Sequence, residues 1–383
     1  MISTRNIKAK GLRRVALAAA FTASVVAASG CGTAHDGGLT ESVQGRAAAA
    51  SAKYVPCGNP PQKLEQIDQT FLNELAAADG PPLYDLSYQA ARDVLNKIQA
   101  GPVPLQPAQV SQRTIPNGPT GPVNVHIVRP EWVEGPLPGI VYIHGGGWVL
   151  GNFKTHERLV RELADGARAE VVFVDYTPSP EAQFPVPIEQ AYTVAKWVSD
   201  HGAEIGISTD RLAVAGDSVG GDMTAAVTLM SKQRGGPRFR QQVLMYPVTD
   251  ANFDTASYRR FAENCWLTRP AMKWFWNAYA PNVADRANPL ASPLRASVGQ
   301  LKGLPPALVI TDSDVLKDAA DAYTAKLRKA GVQVTASHYG AVTHDFMMLD
   351  PLRNTQANKN AVAEATATLR EALYASQAPT TGK

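Results

Sequence analysis

Ser218 stands at the centre of Gly216-Asp217-Ser218-Val219-Gly220-Gly221, directly after the apolar run Leu212-Ala213-Val214-Ala215. Gly-x-Ser-x-Gly at a strand end marks a sharp strand-to-helix turn, which holds a serine in strained backbone with its hydroxyl exposed. Glycines flank it because a Cβ two residues to either side would meet the neighbouring strand and helix. A serine hydroxyl is a weak nucleophile until a base takes its proton, so the chemistry on offer is covalent acyl transfer. A second glycine run, His144-Gly145-Gly146-Gly147, follows another apolar stretch, Gly139-Ile140-Val141-Tyr142-Ile143. Such a loop turns backbone N–H groups toward a developing oxyanion. Either motif alone is weak, since glycine and serine are common in loops. Both together, each after a strand, are specific.

These residues need strands that end beside them. From Val123 onward the sequence supplies alternating elements: strands at Val123–Val128, Pro138–Ile143, Val171–Asp175, Arg211–Gly216, Gln242–Tyr246, Ala307–Thr311 and Val332–His338. Between and after them fall helical patterns at His156–Gly166, Ile188–Asp200, Gly220–Met230, Asp318–Ala330 and Asn358–Leu373. Apolar strands alternating with helices predict an α/β fold with a mostly parallel central sheet and helices on both faces. Ligands of such sheets sit at the carboxyl ends of the strands, where both glycine motifs lie. Ahead of the strands, Leu64, Ile67, Phe71, Leu72 and Leu75, then Ala90, Ala91, Val94, Leu95 and Ile98, recur at helical spacing. They predict a helical N-terminal cap over residues 60–110, acting as a lid on a catalytic domain at residues 111–376.

Four segments together, His144-Gly145-Gly146-Gly147-Trp148, Gly216 to Gly221, Asp314-Val315-Leu316-Lys317-Asp318 and His344-Asp345-Phe346, resemble the signature set of the hormone-sensitive-lipase-like esterases. These have the α/β-hydrolase fold, and the resemblance spans roughly residues 80 to 370. Tyr176 to Pro185 is similar to another stretch of that family, but departs at Thr177-Pro178-Ser179, where Arg-Leu-Ala is usual. The resemblance implies a nucleophile at Ser218 and oxyanion donors at Val219, Gly145 and Gly146, with Gly147 as a close alternative. In this fold the acid and then the histidine follow the serine along the chain. Only His338 and His344 meet that order; His338 falls within an alternating strand pattern, whereas His344 lies in a loop past Gly340, as the base must. Asp312, Asp314 and Asp318 all follow the run Ala307–Thr311. Asp318 has entered a helix, Asp312 suits an Asx turn, and Asp314 matches the family's Asp-x-Leu-Lys/Arg-Asp pattern. Asp217 and Asp345 read as supports of the turn and of the histidine. His144 reads as a shaper of the glycine loop, and His35, His126, His156 and His201 as tether or surface residues.

The expected reaction is hydrolysis of short- to medium-chain carboxylic esters, with no cofactor. Two other readings share this scaffold: an amidase or N-acyl deacetylase, and a non-catalytic ligand-binding protein, which usually loses part of the triad. Matched ester and amide substrates separate the first, and labelling of Ser218 by a fluorophosphonate the second. Trp148, Trp266, Trp274, Phe275 and Trp276 serve either core packing or an apolar acyl pocket.

The chain has 383 residues, 45% of them hydrophobic and 19% charged, which is a globular composition. A net charge of +3 with scattered Lys and Arg argues against nucleic acid as a partner. At the N-terminus, Arg5, Lys8, Lys10, Arg13 and Arg14 precede the uncharged run Val15–Ala28. That run is short for a membrane span and suits a signal peptide over residues 1–30. Ala28-Ser29-Gly30-Cys31-Gly32 resembles a bacterial lipobox, although leucine is usual where Ala28 stands. Cys31 is therefore the expected lipidation site, with ordinary secretory cleavage and a retained anchor as the alternatives, and residues 31–59 a flexible tether. The protein is expected to be exported, as a lipid-anchored envelope protein or a secreted one. In an oxidising compartment the two other cysteines, Cys57 and Cys265, are candidates to pair. No Cys/His cluster has metal-ligand spacing, so no metal is expected.

Overall fold

A computed structural model describes residues 53–376. Eight strands make one sheet in the order β1-β2-β4-β3-β5-β6-β7-β8. They are β1 (Ala108–Gly118), β2 (Gly121–Pro130), β3 (Leu137–Ile143), β4 (Glu170–Asp175), β5 (Ile207–Asp217), β6 (Gln241–Met245), β7 (Ala307–Asp312) and β8 (Val334–Tyr339). β2 pairs antiparallel with β1 and β4, and all the other pairings are parallel. β3 and β6 are buried at every position, as unbroken apolar runs require when both faces of a sheet are covered.

Among the described residues ten α-helices accompany the strands: α1 (Gln66–Ala77), α2 (Tyr88–Ile98), α3 (Phe153–Ala167), α4 (Val186–His201), α5 (Val219–Arg234), α6 (Ala256–Arg260), α7 (Arg269–Tyr279), α8 (Val298–Leu301), α9 (Lys317–Lys329) and α10 (Gln356–Tyr374). α3 and α10 contact one another, as do α4 and α5, and both pairs pack on the sheet. Side chains start several of these helices. Ser87 caps α2 by accepting from Ala90 N–H, and Asn152 and Thr155 form a reciprocal capping box on α3.

β1 is the strand that the alternation of apolar and polar residues does not announce. Gln109, Ser111, Gln112, Arg113 and Thr114 are polar, and Ile115 is fully buried. An edge strand with one wet face carries little apolar signal; its register comes from nine Cα pairings to β2 across a tight turn. The strand also begins at Ala108, inside the span 60–110 expected to be helical cap.

The end of the expected tether is likewise held in place. Val55 N–H donates to Asn73 Oδ1 at 2.9 Å, Gln69 Nε2 donates to the Val55 carbonyl at 2.8 Å, and Asn59 N–H donates to the Arg260 carbonyl. Cys57, fully buried, is disulfide-bonded to Cys265, 208 residues further along. Residues 53–59 thus join α1 to the segment before α7, because one covalent link and three hydrogen bonds outweigh their loop-like composition. Residues 1–30 and Cys31 lie outside the described residues. No helix among the described residues is long and apolar enough to cross a membrane.

Candidate active site

β5 is buried from Leu212 to Asp217 and delivers Ser218 to the turn before α5. Ser218 has φ +54° and ψ −119°, a strained backbone that an L-residue rarely adopts. The turn closes because a Cβ on Gly216 would strike the Gly220 carbonyl, and one on Gly220 the Ile143 carbonyl. β7 leads to Asp314 and β8 to the loop that carries His344.

These three ends meet. His344 Nε2 lies 2.9 Å from Ser218 Oγ, across 126 residues of sequence, and His344 Nδ1 lies 2.5 Å from Asp314 Oδ2. All three side chains are buried. Leu316 N–H donates to the other Asp314 oxygen at 2.8 Å. With Asp314 accepting from Nδ1–H, Nε2 is free to accept from the serine hydroxyl. Burial pulls the His344 pKa down, but the carboxylates of Asp345, Asp314 and Asp217 outweigh it, and the imidazole titrates above its ordinary 6.5. The Tyr246 ring meets the imidazole edge to face at 5.1 Å and helps to fix its plane.

The glycine loop corrects one expectation. Gly145 N–H donates to Asp217 Oδ1 at 3.0 Å, so it is spent inside the protein and is unavailable to an oxyanion. Gly146 (φ +98°) and Gly147 (φ +65°) line the cleft beside Ser218, and among the described residues their N–H groups have no acceptor. Val219 opens α5, where an N–H has no partner within the helix. The N–H groups left beside Ser218 are therefore those of Gly146, Gly147 and Val219.

Asp217 is the fastener of this loop. It is fully buried, and Tyr142 O–H and Gly145 N–H both donate to its Oδ1, while His156 Nε2 lies 3.4 Å from Oδ2. Burial alone would raise its pKa, but His156 and the Tyr142 hydroxyl hold it below the ordinary value. His156, expected at the surface, is wholly buried in α3 beneath the loop. Burial lowers its pKa, yet the Asp217 carboxylate more than offsets this and keeps it raised. The signal was present: Phe153, His156, Leu159, Val160 and Leu163 share one helical face. His144 stacks on Tyr176 at 4.2 Å, and burial with nearby His156 pushes its pKa down to about 3, so it shapes the loop as a neutral ring. His126 pairs with Asp175 at 2.8 Å, and His338 sits on β8 beside Thr311. Asp318 belongs to α9 and accepts from Ser257 N–H.

The cleft over Ser218 is walled by Leu83 and Leu95 from the segment ahead of β1, by Leu150, and by Trp266, Leu267, Met272 and Phe275. The aromatic cluster divides. Trp266 and Phe275 face the cleft, Trp148 and Trp276 are buried core packed with Tyr279, and Trp274 stacks on Tyr88 at 4.9 Å. Asp345 joins the two sides: its Oδ2 accepts from Trp266 Nε1 at 2.9 Å, and its Oδ1 lies 3.3 Å from His344 Nε2.

Against known proteins, a family model described as the alpha/beta hydrolase fold matches residues 140–348. The chain is 34% identical over 319 residues to the carboxylesterase NlhH of Mycobacterium tuberculosis, covering 82% of this chain and 96% of that protein. The crystal structure of a thermostable esterase from Pseudomonas putida superposes with a TM-score of 0.81 at 48% identity, over 82% of this chain and 99% of that one. The chain belongs to the hormone-sensitive-lipase-like esterases. An ethyl acetate hydrolase of Pseudomonas putida is 36% identical over 239 residues, covering 62% of this chain and 74% of that protein. In the esterase described here, the stretch that departs from the family pattern at Thr177-Pro178-Ser179 is tied on both sides. Ser179 N–H donates to the Trp148 carbonyl, and Arg92 of α2 donates to the Ser179 carbonyl and to Glu181.

Proposed function

We propose that this protein hydrolyses short- to medium-chain carboxylic esters through an acyl-enzyme on Ser218. The observation that carries this reading is the unbroken chain from Ser218 Oγ through His344 to Asp314, at 2.9 and 2.5 Å. Ser218 Oγ attacks the ester carbonyl carbon as its proton passes to His344 Nε2. Asp314, a buried carboxylate, steadies the imidazolium that forms. The N–H groups of Gly146, Gly147 and Val219 hold the oxyanion, and each such donor contributes about 3–4 kcal/mol to the transition state. His344 then gives its proton to the departing alkoxide, and water, deprotonated by the same imidazole, releases the acid.

Substrate size follows from the cleft. Its walls are leucine, methionine and aromatic side chains, and the space they leave over Ser218 is narrow, about 30 Å³, well below the usual ligand site, which favours small acyl groups. Acetate to hexanoate esters should be turned over best and hexadecanoate least. Ser218→Ala should lower kcat on p-nitrophenyl butyrate by roughly 10⁴-fold or more. Activity within tenfold of the parent enzyme would end this reading.

We infer also that the protein is exported and lipidated on Cys31, the reading supported by the basic, apolar and small-residue succession ahead of that cysteine. Metabolic labelling with palmitate should mark the protein and be lost in Cys31→Ser; label retained in that variant would contradict the assignment.

A further inference from the structure

Asp312 is a buried carboxyl that the mechanism above does not use. It ends β7, it is fully buried, and neither of its oxygens accepts a hydrogen bond from any N–H or O–H among the described residues. One of its oxygens, one of Asp314's and a ring nitrogen of His344 lie within 4.8 Å of one another. Two carboxylates so close in a dry site are not both charged. The hydrogen bonds decide which is the anion. Asp314 accepts from Leu316 N–H and from His344, one on each oxygen, whereas Asp312 has no donor to support a charge. The groups facing Asp312 are Asp314 on the same loop, Asp345 and His344 after β8, Asp68 from α1 and Tyr246 at the end of β6; none is a fixed cation. A neutral carboxylic acid carries an O–H that needs an acceptor. Asp314 provides it, since each of its oxygens keeps a second lone pair.

We propose that Asp312 is a positioning residue of the triad: as a neutral acid it donates its O–H to Asp314, fixing that carboxylate toward His344 and sharing its negative charge. Burial and the Asp314 charge both push the Asp312 carboxyl well above the ordinary range, in agreement with the geometry. The inference rests on the triad reading given under the proposed function.

Two substitutions of similar size separate the donor from mere filling. Asp312→Asn keeps an N–H donor that cannot ionise, and Asp312→Leu keeps the volume without a donor. The Asn variant should retain kcat within about threefold. The Leu variant should lose about 10- to 100-fold in kcat, the worth of a hydrogen bond to a charged group, with KM little changed. Its acid limb in kcat/KM should move to higher pH, because Asp314 with one donor fewer binds the imidazolium more strongly. A Leu variant with parental kcat and pH profile, or an Asn variant as impaired as Leu, would overturn the proposal. Should the Leu variant fail to fold, infrared difference spectra of the parent against Asp312→Asn at neutral pH decide the matter. The C=O stretch of a protonated carboxyl must be present in the parent and missing from the variant, and its absence from the parent overturns the assignment. Ser218→Ala measured alongside tests the triad itself, so failure of either reading is seen separately.

Discussion

The floor of the cleft and its walls are held by different forces. On the floor, Ser218, Asp314 and His344 sit at the ends of β5 and β7 and just after β8, and each is aimed by local backbone: a strained turn, an N–H from two residues on, a short loop. On the walls, Leu83 and Leu95 come from the segment ahead of β1, and Trp266, Leu267 and Met272 from the segment around α7. Those pieces meet through apolar packing, the Arg92–Glu181 pair at 2.6 Å and the Cys57–Cys265 bond. On the function proposed above, the difference separates the bond-making chemistry from the choice of substrate: local backbone dictates the first, and contacts between distant segments the second.

The comparison is sharpened most by Asp314→Asn, which should lower kcat by roughly 10⁴-fold because the amide favours the wrong histidine tautomer. KM should change little, since Asp314 does not line the cleft. A loss confined to KM would move Asp314 from floor to wall. The floor also has a pH signature. Only the neutral imidazole takes the serine proton, so kcat/KM should fall as pH drops through a value above 6.5, the ordinary histidine value, because the surrounding carboxylates raise His344. A profile flat down to about pH 5 would contradict that base.

The walls answer to a different change. Trp266→Ala removes a cleft surface together with one hydrogen bond to Asp345, and should shift the ratio of kcat/KM for octanoate over acetate esters by about tenfold toward the longer chain, a ratio in which any common effect on His344 cancels. An unchanged ratio would show that Trp266 does not select.

The smallest effect lies where α1 and the floor touch. Asp68 of α1 accepts from Thr343 N–H at 2.5 Å, next to His344, and burial pushes its pKa up to about 7 from 3.8. The folded protein thus holds a proton that the unfolded chain releases, so stability falls as pH rises from about 4 to 7. Asp68→Asn keeps the acceptor and removes the titration; its Tm should exceed the parent's by about 2–8 °C at pH 8, with little difference near pH 4. Equal Tm values at both pH values would show that Asp68 is not under strain.

How much of this was legible follows the same division. The parallel sheet, the turn at Ser218 and the loop bearing His344 show in the sequence because glycine spacing and apolar runs are local signals. β1 is hidden because an edge strand with one wet face is mostly polar; the pairing of Cys57 with Cys265 is suggested by the cysteine count, but the loop-like composition of residues 53–59 does not show that this link, 208 positions long, fixes them to the fold. The engagement of the Gly145 N–H is hidden from the local sequence for a similar reason. Which N–H of a glycine run is free depends on Asp217, and only the fold brings that carboxylate beneath the loop. The burial of His156 differs from these, since its place on an apolar helical face is a local signal.

The central claim is that Ser218 is the nucleophile made reactive by His344. Mass spectrometry after treatment with a fluorophosphonate tests it directly: one adduct per chain should form and map by peptide sequencing to Ser218, with none on Ser218→Ala and far slower labelling of His344→Ala. An adduct on any other residue, or an equal yield on Ser218→Ala, would contradict it.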